Sequence, residues 1–473
     1  MGQVFDLPSA TVRTGWDGRS QTCPTCYSQG MVRLSLILFC MVLAAVAADP
    51  PSKTFPFSFT QEDLANGLRL VTIPTDSPNL VSVFIVVQTG SRNEVEPGKT
   101  GFAHLFEHMM FRGTDKYPPE KYEEILKRAG AASNANTSSD RTVFHTTFSK
   151  EDLPAILAME ADRFENLKYP LEAFKTETGA VLGEYNKNSA NPGSKLEEVL
   201  ADTAFDRHTY KHTTMGFLKD VQDMPSQYDY SIKFFDRYYR PEYTTIIVAG
   251  DVDAKQARAL VDKSFGNWPR GSYHADIPVE PKQQGPREAH VDWPSPTLPL
   301  LTIAYKGPAY TDTAKDTAAL DAFSTLVFGQ NSELYQKLVV REQKLDSLSA
   351  SAPSSVDPDL FTIHARLKRA EDLPAIRAEI LDTVKRFQDE LIAADKLEAV
   401  KKRERYGFTL RLDNSESVAQ TVAEYVALRR TPETIDKLYA QYGQLTPEDL
   451  REMARKYLIE SGRTIVTLTG ASK

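Results

Sequence analysis

Cysteine is nearly missing from this 473-residue chain: Cys23, Cys26 and Cys40 are the only three. Nothing after residue 40 can form a disulfide, and the Cys23-Pro24-Thr25-Cys26 pair has no second pair to complete a thiolate metal site. Positive charge is short as well. Lys and Arg number 56 against 64 Asp and Glu, a net charge of -8, so no basic field is present to hold nucleic acid or anionic lipid. Long apolar runs are also lacking. Leu34 to Val46 is too short to span a bilayer in the usual way, and no stop-transfer segment follows it. With Met31-Val32-Arg33 before it and Ala45-Val46-Ala47 and Ala48-Asp49-Pro50 after it, residues 31–48 read as a signal peptide cleaved near Ala47–Asp49. A retained anchor is the competing reading. Phe39 before Cys40 argues against lipoprotein processing, and residues 1–30 read as an upstream extension outside the fold. The mature chain is then an exported, cysteine-free protein with no stable membrane span and no nucleic-acid partner.

What remains is long enough for two or more domains, and an internal repeat organises it. Glu151-Asp152-Leu153-Pro154-Ala155-Ile156 recurs as Glu371-Asp372-Leu373-Pro374-Ala375-Ile376, an offset of 220. In the same register Thr244–Gly250 faces Thr464–Gly470, so a duplicated domain is expected. Each half begins with an alternating strand, Val81–Val87 or Leu300–Tyr305, followed by an amphipathic helix. A further strand, the repeated helix and a closing β run complete it. Leu68–Ile73, after the Asn66-Gly67 turn, is expected to pair with Val81–Val87 as a hairpin. The fold class read from this order is α+β, two tandem homologous domains of mainly antiparallel sheet with helices packed on it. The domains run over 55–266 and 289–473, joined by a Pro-, Gly- and polar-rich linker over 267–288.

Only eight histidines are present, and two stand in His104-Leu105-Phe106-Glu107-His108. On a helix His104 and His108 lie one turn apart, so both imidazoles can reach one metal ion, with Glu107 beside them to hold a water. This is the inverted form of the zincin motif. A catalytic zinc site needs a third protein ligand and an open position. Glu177 and Glu184 are seven residues apart, two helical turns, and share a face. One could ligate while the other orients a histidine, although glutamates also populate solvated helix faces. At offset 220, His104, Glu107 and His108 become Ser324, Val327 and Phe328, so the second half keeps the frame without the ligands. His208 and His212 share the i, i+4 spacing but have no accompanying acid and read as structural.

The stretch from Thr100 to Thr114 resembles the inverted zinc motif of the insulinase-like M16 metallopeptidases. The resemblance covers essentially the whole mature chain and is closest to the short bacterial and mitochondrial-processing-peptidase-like subfamily. It implies a half-clamshell enclosing a chamber, with one zinc ion held by His104, His108 and Glu184. Glu107 would be the catalytic base, and Glu177 would orient a ligand. Ser133 to Phe144 resembles the family's Asn-Ala-x-Thr edge strand, which implies that Asn134 and Ala135 receive substrate as an added strand. Active members often carry an Arg and a Tyr in the second half. Here Val339 lies near the first position, Asp346 or Ser347 near the second, and Ser332-Glu333-Leu334-Tyr335 has Glu in place of the usual Arg. The resemblance therefore implies a periplasmic zinc endopeptidase acting on peptides as a homodimer, or as a heterodimer with a non-catalytic M16 subunit. Two alternatives stand beside it: a catalytic-type subunit inactive alone, and a non-catalytic peptide-binding scaffold.

Overall fold

A computed structural model describes residues 53–471, so the extension over 1–30 and the signal peptide over 31–48 lie outside the described residues. Two mixed sheets organise the chain. The first contains β1 (Thr60–Asp63), β2 (Arg69–Pro74), β3 (Leu80–Val87), β4 (Ala132–Thr137), β5 (Thr142–Ser149) and β6 (Thr244–Gly250), in spatial order β1-β2-β6-β3-β5-β4. The second contains β7 (Arg287–Trp293), β8 (Leu300–Lys306), β9 (Leu345–Ser351), β10 (Leu360–Leu367) and β11 (Arg463–Gly470), in order β7-β11-β8-β10-β9. Apart from the extra β1, the two orders are the same. The duplication read from the repeat is thus a duplication of topology. Only β2·β6 and β7·β11 are parallel; every other pairing is antiparallel.

Two local expectations are corrected. Leu68–Ile73 does not form a hairpin with Val81–Val87, because β6 lies between them, parallel to β2 and antiparallel to β3. Every residue of β6 is buried, and a continuous apolar run suits a central position. The Asn66-Gly67 turn instead joins β1 to β2, with Gly67 at φ 88° and its N–H donating to the Leu64 carbonyl. Nor does β3 alternate: all its residues after Leu80 are buried, because helices cover both faces of the sheet. In addition, β7 begins at Arg287, inside the segment assigned to the linker.

The helices that matter for the site are α1 (Phe102–Met109), α2 (Leu153–Asn166), α3 (Leu171–Ser189) and α4 (Pro192–Ala204) in the first half. In the second half they are α5 (Asp316–Phe328), α6 (Leu373–Asp389) and α7 (Ser415–Arg429). Phe102, Leu105 and Phe106 of α1, Ile156 and Phe164 of α2, and Phe174 and Val181 of α3 form one core with Val81, Val83 and Ile85 of β3. The opposite face, with Phe84, Val86 and Ile247, is covered by Val418, Val422 and Val426 of α7. Reciprocally, α5 and α6 cover one face of the second sheet, and Leu196 and Leu200 of α4 pack on its other face against Ala304, Val466 and Leu468. The halves thus exchange helices: each supplies an outer layer for the other's sheet.

Candidate metal centre

In α1 the apolar residues Phe102, Leu105, Phe106 and Met109 face the core, where Phe106 stacks on Phe234 at 5.2 Å. That arrangement turns His104, Glu107 and His108 the other way, as the 3.6-residue period requires. α3 passes beside them and presents Glu177 and Glu184 two turns apart. Nε2 of His104 and Nε2 of His108 are 3.3 Å apart. Oε2 of Glu184 is 3.4 Å from the first and 3.6 Å from the second. Donors bonded to one tetrahedral zinc at about 2.0–2.2 Å would sit about 3.3–3.6 Å from each other. The triangle of donor atoms fits that ion. Among the described residues these three are the only group of His, Cys, Asp or Glu side chains able to hold a metal.

The surroundings fix this triangle. Nδ1 of His108 lies 3.4 Å from Oε2 of Glu177, whose other oxygen pairs with Arg112. The Glu177 hydrogen bond raises the pKa of His108. Burial pushes Glu177 upward, but the hydrogen bond with His108 and the Arg112 guanidinium outweigh it and leave its pKa lowered. His104 is lowered, first by burial and then by the neighbouring His108, and its buried Nδ1 has no hydrogen-bond partner. Both effects favour the neutral imidazole that ligates metal. Oε2 of Glu107 accepts a 2.7 Å hydrogen bond from Oγ1 of Thr137, at the end of β4. A cleft of about 360 Å³ opens over His104, Glu107 and Glu184, walled by Asn136, Thr137, Tyr185, Glu197 and Glu198.

Asn134 and Ala135 lie on β4, an edge strand of the first sheet. Asn134 is exposed, whereas the Ala135 side chain is buried in the core, so only its backbone is available to a ligand. The Ala135 N–H donates to Asn134 Oδ1 at 2.9 Å, and an added strand would have to replace that bond. Val339 is half-buried, and Asp346 and Ser347 are exposed on β9. His208 and His212 do not meet on a metal. His208 Nε2 lies 2.9 Å from Asp357 of the second half and its Nδ1 accepts from the Tyr210 N–H, while His212 donates from Nδ1 to the Thr213 carbonyl.

Sequence reasoning missed Arg112 and Thr137, which hold Glu177 and Glu107. It also missed Glu94, a fully buried acid whose two carboxyl oxygens accept from the Gly101 and Ala103 amides at the start of α1. Burial pushes Glu94 up to about 8, against the pull of the Ala103, Gly101 and Phe102 amides. Gly101 itself stands at φ 90°, and Gly216 packs so closely that a Cβ there would meet the Gly101 nitrogen at 2.7 Å. A glycine at a helix start with no capping side chain was the one available signal that some distant group must serve it.

Residues 69–217 match the family described as insulinase (peptidase family M16), and residues 227–404 match the peptidase M16 inactive domain. The zinc protease PqqE of Helicobacter pylori is 28% identical over 444 residues, covering 92% of this chain and 98% of that protein. The mitochondrial-processing peptidase subunit beta of Rattus norvegicus is 24% identical over 421 residues, 86% of this chain and 83% of its own. A crystal structure of a protease from Helicobacter pylori superposes with a TM-score of 0.80 at 29% identity, over 87% of this chain and 99% of that one.

Proposed function

Because the chain belongs to peptidase family M16, we propose that it is a zinc-dependent endopeptidase that hydrolyses peptides or unfolded polypeptides. The observation that carries the reading is the triangle of His104, His108 and Glu184 donors, 3.3–3.6 Å on each side, with a carboxylate beside it. Zinc, when bound, supplies Lewis acidity toward a carbonyl oxygen and makes water more acidic. Glu107 takes the proton from the attacking water and passes it to the leaving amine, a role worth about 10²–10⁴-fold. Thr137 holds that carboxylate in place by its hydrogen bond. Glu177 holds the His108 ring through Nδ1 and so leaves Nε2 for the metal. The free edge of β4, at Asn134 and Ala135, takes the peptide backbone as an added strand, which gives affinity without demanding one sequence.

The cleft is walled by Glu107, Glu184, Glu197 and Glu198 with no Lys or Arg among its lining residues, which favours a cationic side chain next to the scissile bond. Val339, Asp346 and Ser347 stand where an Arg and a Tyr are expected, which supports a second reading: activity that depends on a second M16 chain, a homologous copy or a non-catalytic partner. A relative named as a beta subunit agrees with such an assembly. Export to the periplasm rests on residues 31–48. No helix among the described residues is long and apolar enough to cross a membrane.

The deciding experiment measures zinc content and peptide cleavage for the wild type and Glu107→Gln. The variant should keep zinc and lose cleavage by at least about 10²-fold. Full turnover by the variant sinks the role of Glu107. A wild type without zinc points to a scaffold, and zinc with turnover only after a partner is added points to the dependent subunit.

A further inference from the structure

α1 has only eight residues and carries three side chains of the site, so its direction decides whether they converge. Its own sequence does little to fix it. The first intrahelical bond runs from the Leu105 N–H to the Gly101 carbonyl, which leaves the Phe102, Ala103 and His104 amides without helical acceptors. Gly101 has no side chain to cap them, and its φ of 90° excludes most residues that could.

Glu94 supplies an acceptor for the middle one of these amides, Ala103, and for Gly101 before it. Its Oε2 accepts from the Gly101 N–H at 2.8 Å and its Oε1 from the Ala103 N–H at 2.7 Å, immediately before His104. The side chain is wholly buried. It sits at the end of a short turn, where its own N–H donates to the Ser91 carbonyl at 3.2 Å. Asp220 secures the preceding residue by accepting from the Thr100 hydroxyl at 2.7 Å and the Thr100 N–H at 3.3 Å. His212 is the other titratable neighbour, with Nδ1 3.7 Å from Glu94 Oε2; burial lowers its pKa and favours the neutral ring.

A planar carboxyl group with one oxygen on each of two amides two residues apart fixes both the rotation and the tilt of the helix start. His108 lies five residues beyond Ala103, about 7.5 Å along the axis, so a tilt of about 8° moves its ring by about 1 Å. A metal site tolerates errors of only about 0.2 Å in its bond lengths. We propose that Glu94 is a positioning residue for the metal-binding helix: its two-oxygen clamp on Gly101 and Ala103 aims His104 and His108 at one point. The inference rests on the zinc reading above and adds the element that makes the site preorganised.

Glu94→Gln tests it. Glutamine has one acceptor oxygen and an amide group that would oppose the second N–H, so half of the clamp is lost at constant size. The zinc dissociation constant, from chelator competition, should rise about tenfold or more. The melting temperature of the metal-free variant should stay close to that of the wild type, which separates aiming from general stability. Equal zinc affinity in the two proteins overturns the proposal.

A measurement on the wild type covers a variant that does not fold. In the metal-free protein the Gly101 and Ala103 amides should exchange with solvent as slowly as those in the middle of α1, and rapid exchange there also overturns the clamp. If the wild type binds no zinc, the metal reading fails, while amide protection still reports whether Glu94 holds the helix.

Discussion

Replacing Glu177 by Gln tests how far the metal centre depends on the group behind His108. The Glu177 side chain is 4% exposed and shared between His108 and Arg112. The amide keeps one acceptor for His108 but loses the charge, and hydrogen bonds to charged groups are worth about 1.5–3 kcal/mol. Water can replace part of the Arg112 interaction, because that side chain is 43% exposed, so the loss falls mainly on His108. Removing the orienting partner of a ligand typically weakens metal binding about 10- to 100-fold, about 1.4–2.7 kcal/mol. The pH dependence sharpens the test. Glu177 raises the pKa of His108, so protons compete with metal up to a higher pH than for an ordinary histidine. In Glu177→Gln that competition retreats to lower pH, and part of the lost affinity returns on the acid side. The gap between the proteins should therefore be largest at about pH 8 and narrow toward about pH 6. Chelator competition for zinc at both values measures it. Affinities within about twofold at the higher pH would refute the role assigned to Glu177.

Three further outcomes are expected. Leu200→Ala should cost about 2–5 kcal/mol, because Leu200 is 6% exposed and packs on the second sheet. Urea unfolding followed by circular dichroism and by tryptophan fluorescence should still give one coincident transition, and a separate early step confined to the second half would contradict the helix exchange. Asp357 is held at about 2 by its hydrogen bond from His208 and then by Arg92, so the folded pKa is below the unfolded one. Its contribution is present above the unfolded value and lost as pH falls between about 5 and 2; Asp357→Asn should flatten the urea midpoint over that range. Lysine-containing peptides should be cleaved faster than otherwise identical norleucine peptides, with the difference shrinking in added salt; no difference would remove the acidic cleft from any part in selection.

What could be read in advance follows from how local the signal is. The His104–His108 spacing needs only a helical period, and the 220-residue repeat needs only register, so the motif and the duplicated topology were both visible. Spacing offers Glu177 and Glu184 as a pair without saying which ligates, and seven-residue spacing between glutamates is common on solvated faces; only the resemblance singles out Glu184. The hairpin expectation failed because β6 comes from more than 150 residues downstream of β2, and no local pattern announces its insertion. The alternation expected in β3 failed for the same reason: the layer over its second face, α7, belongs to the other half of the chain. Glu94 was hidden because a single glutamate before a glycine-containing loop has no periodicity at all.

The helix exchange has a consequence for how the molecule can come apart. A break in the connecting segment near residue 275 would leave a first fragment holding α4 with nothing to cover, and its own sheet without α7. The second fragment would have the converse defect. Each piece alone would present a bare apolar sheet face to water, whereas the two produced together could dock by returning each helix to its place. The half without metal ligands is therefore no dispensable relic of duplication; it is part of the folding template of the half that has them.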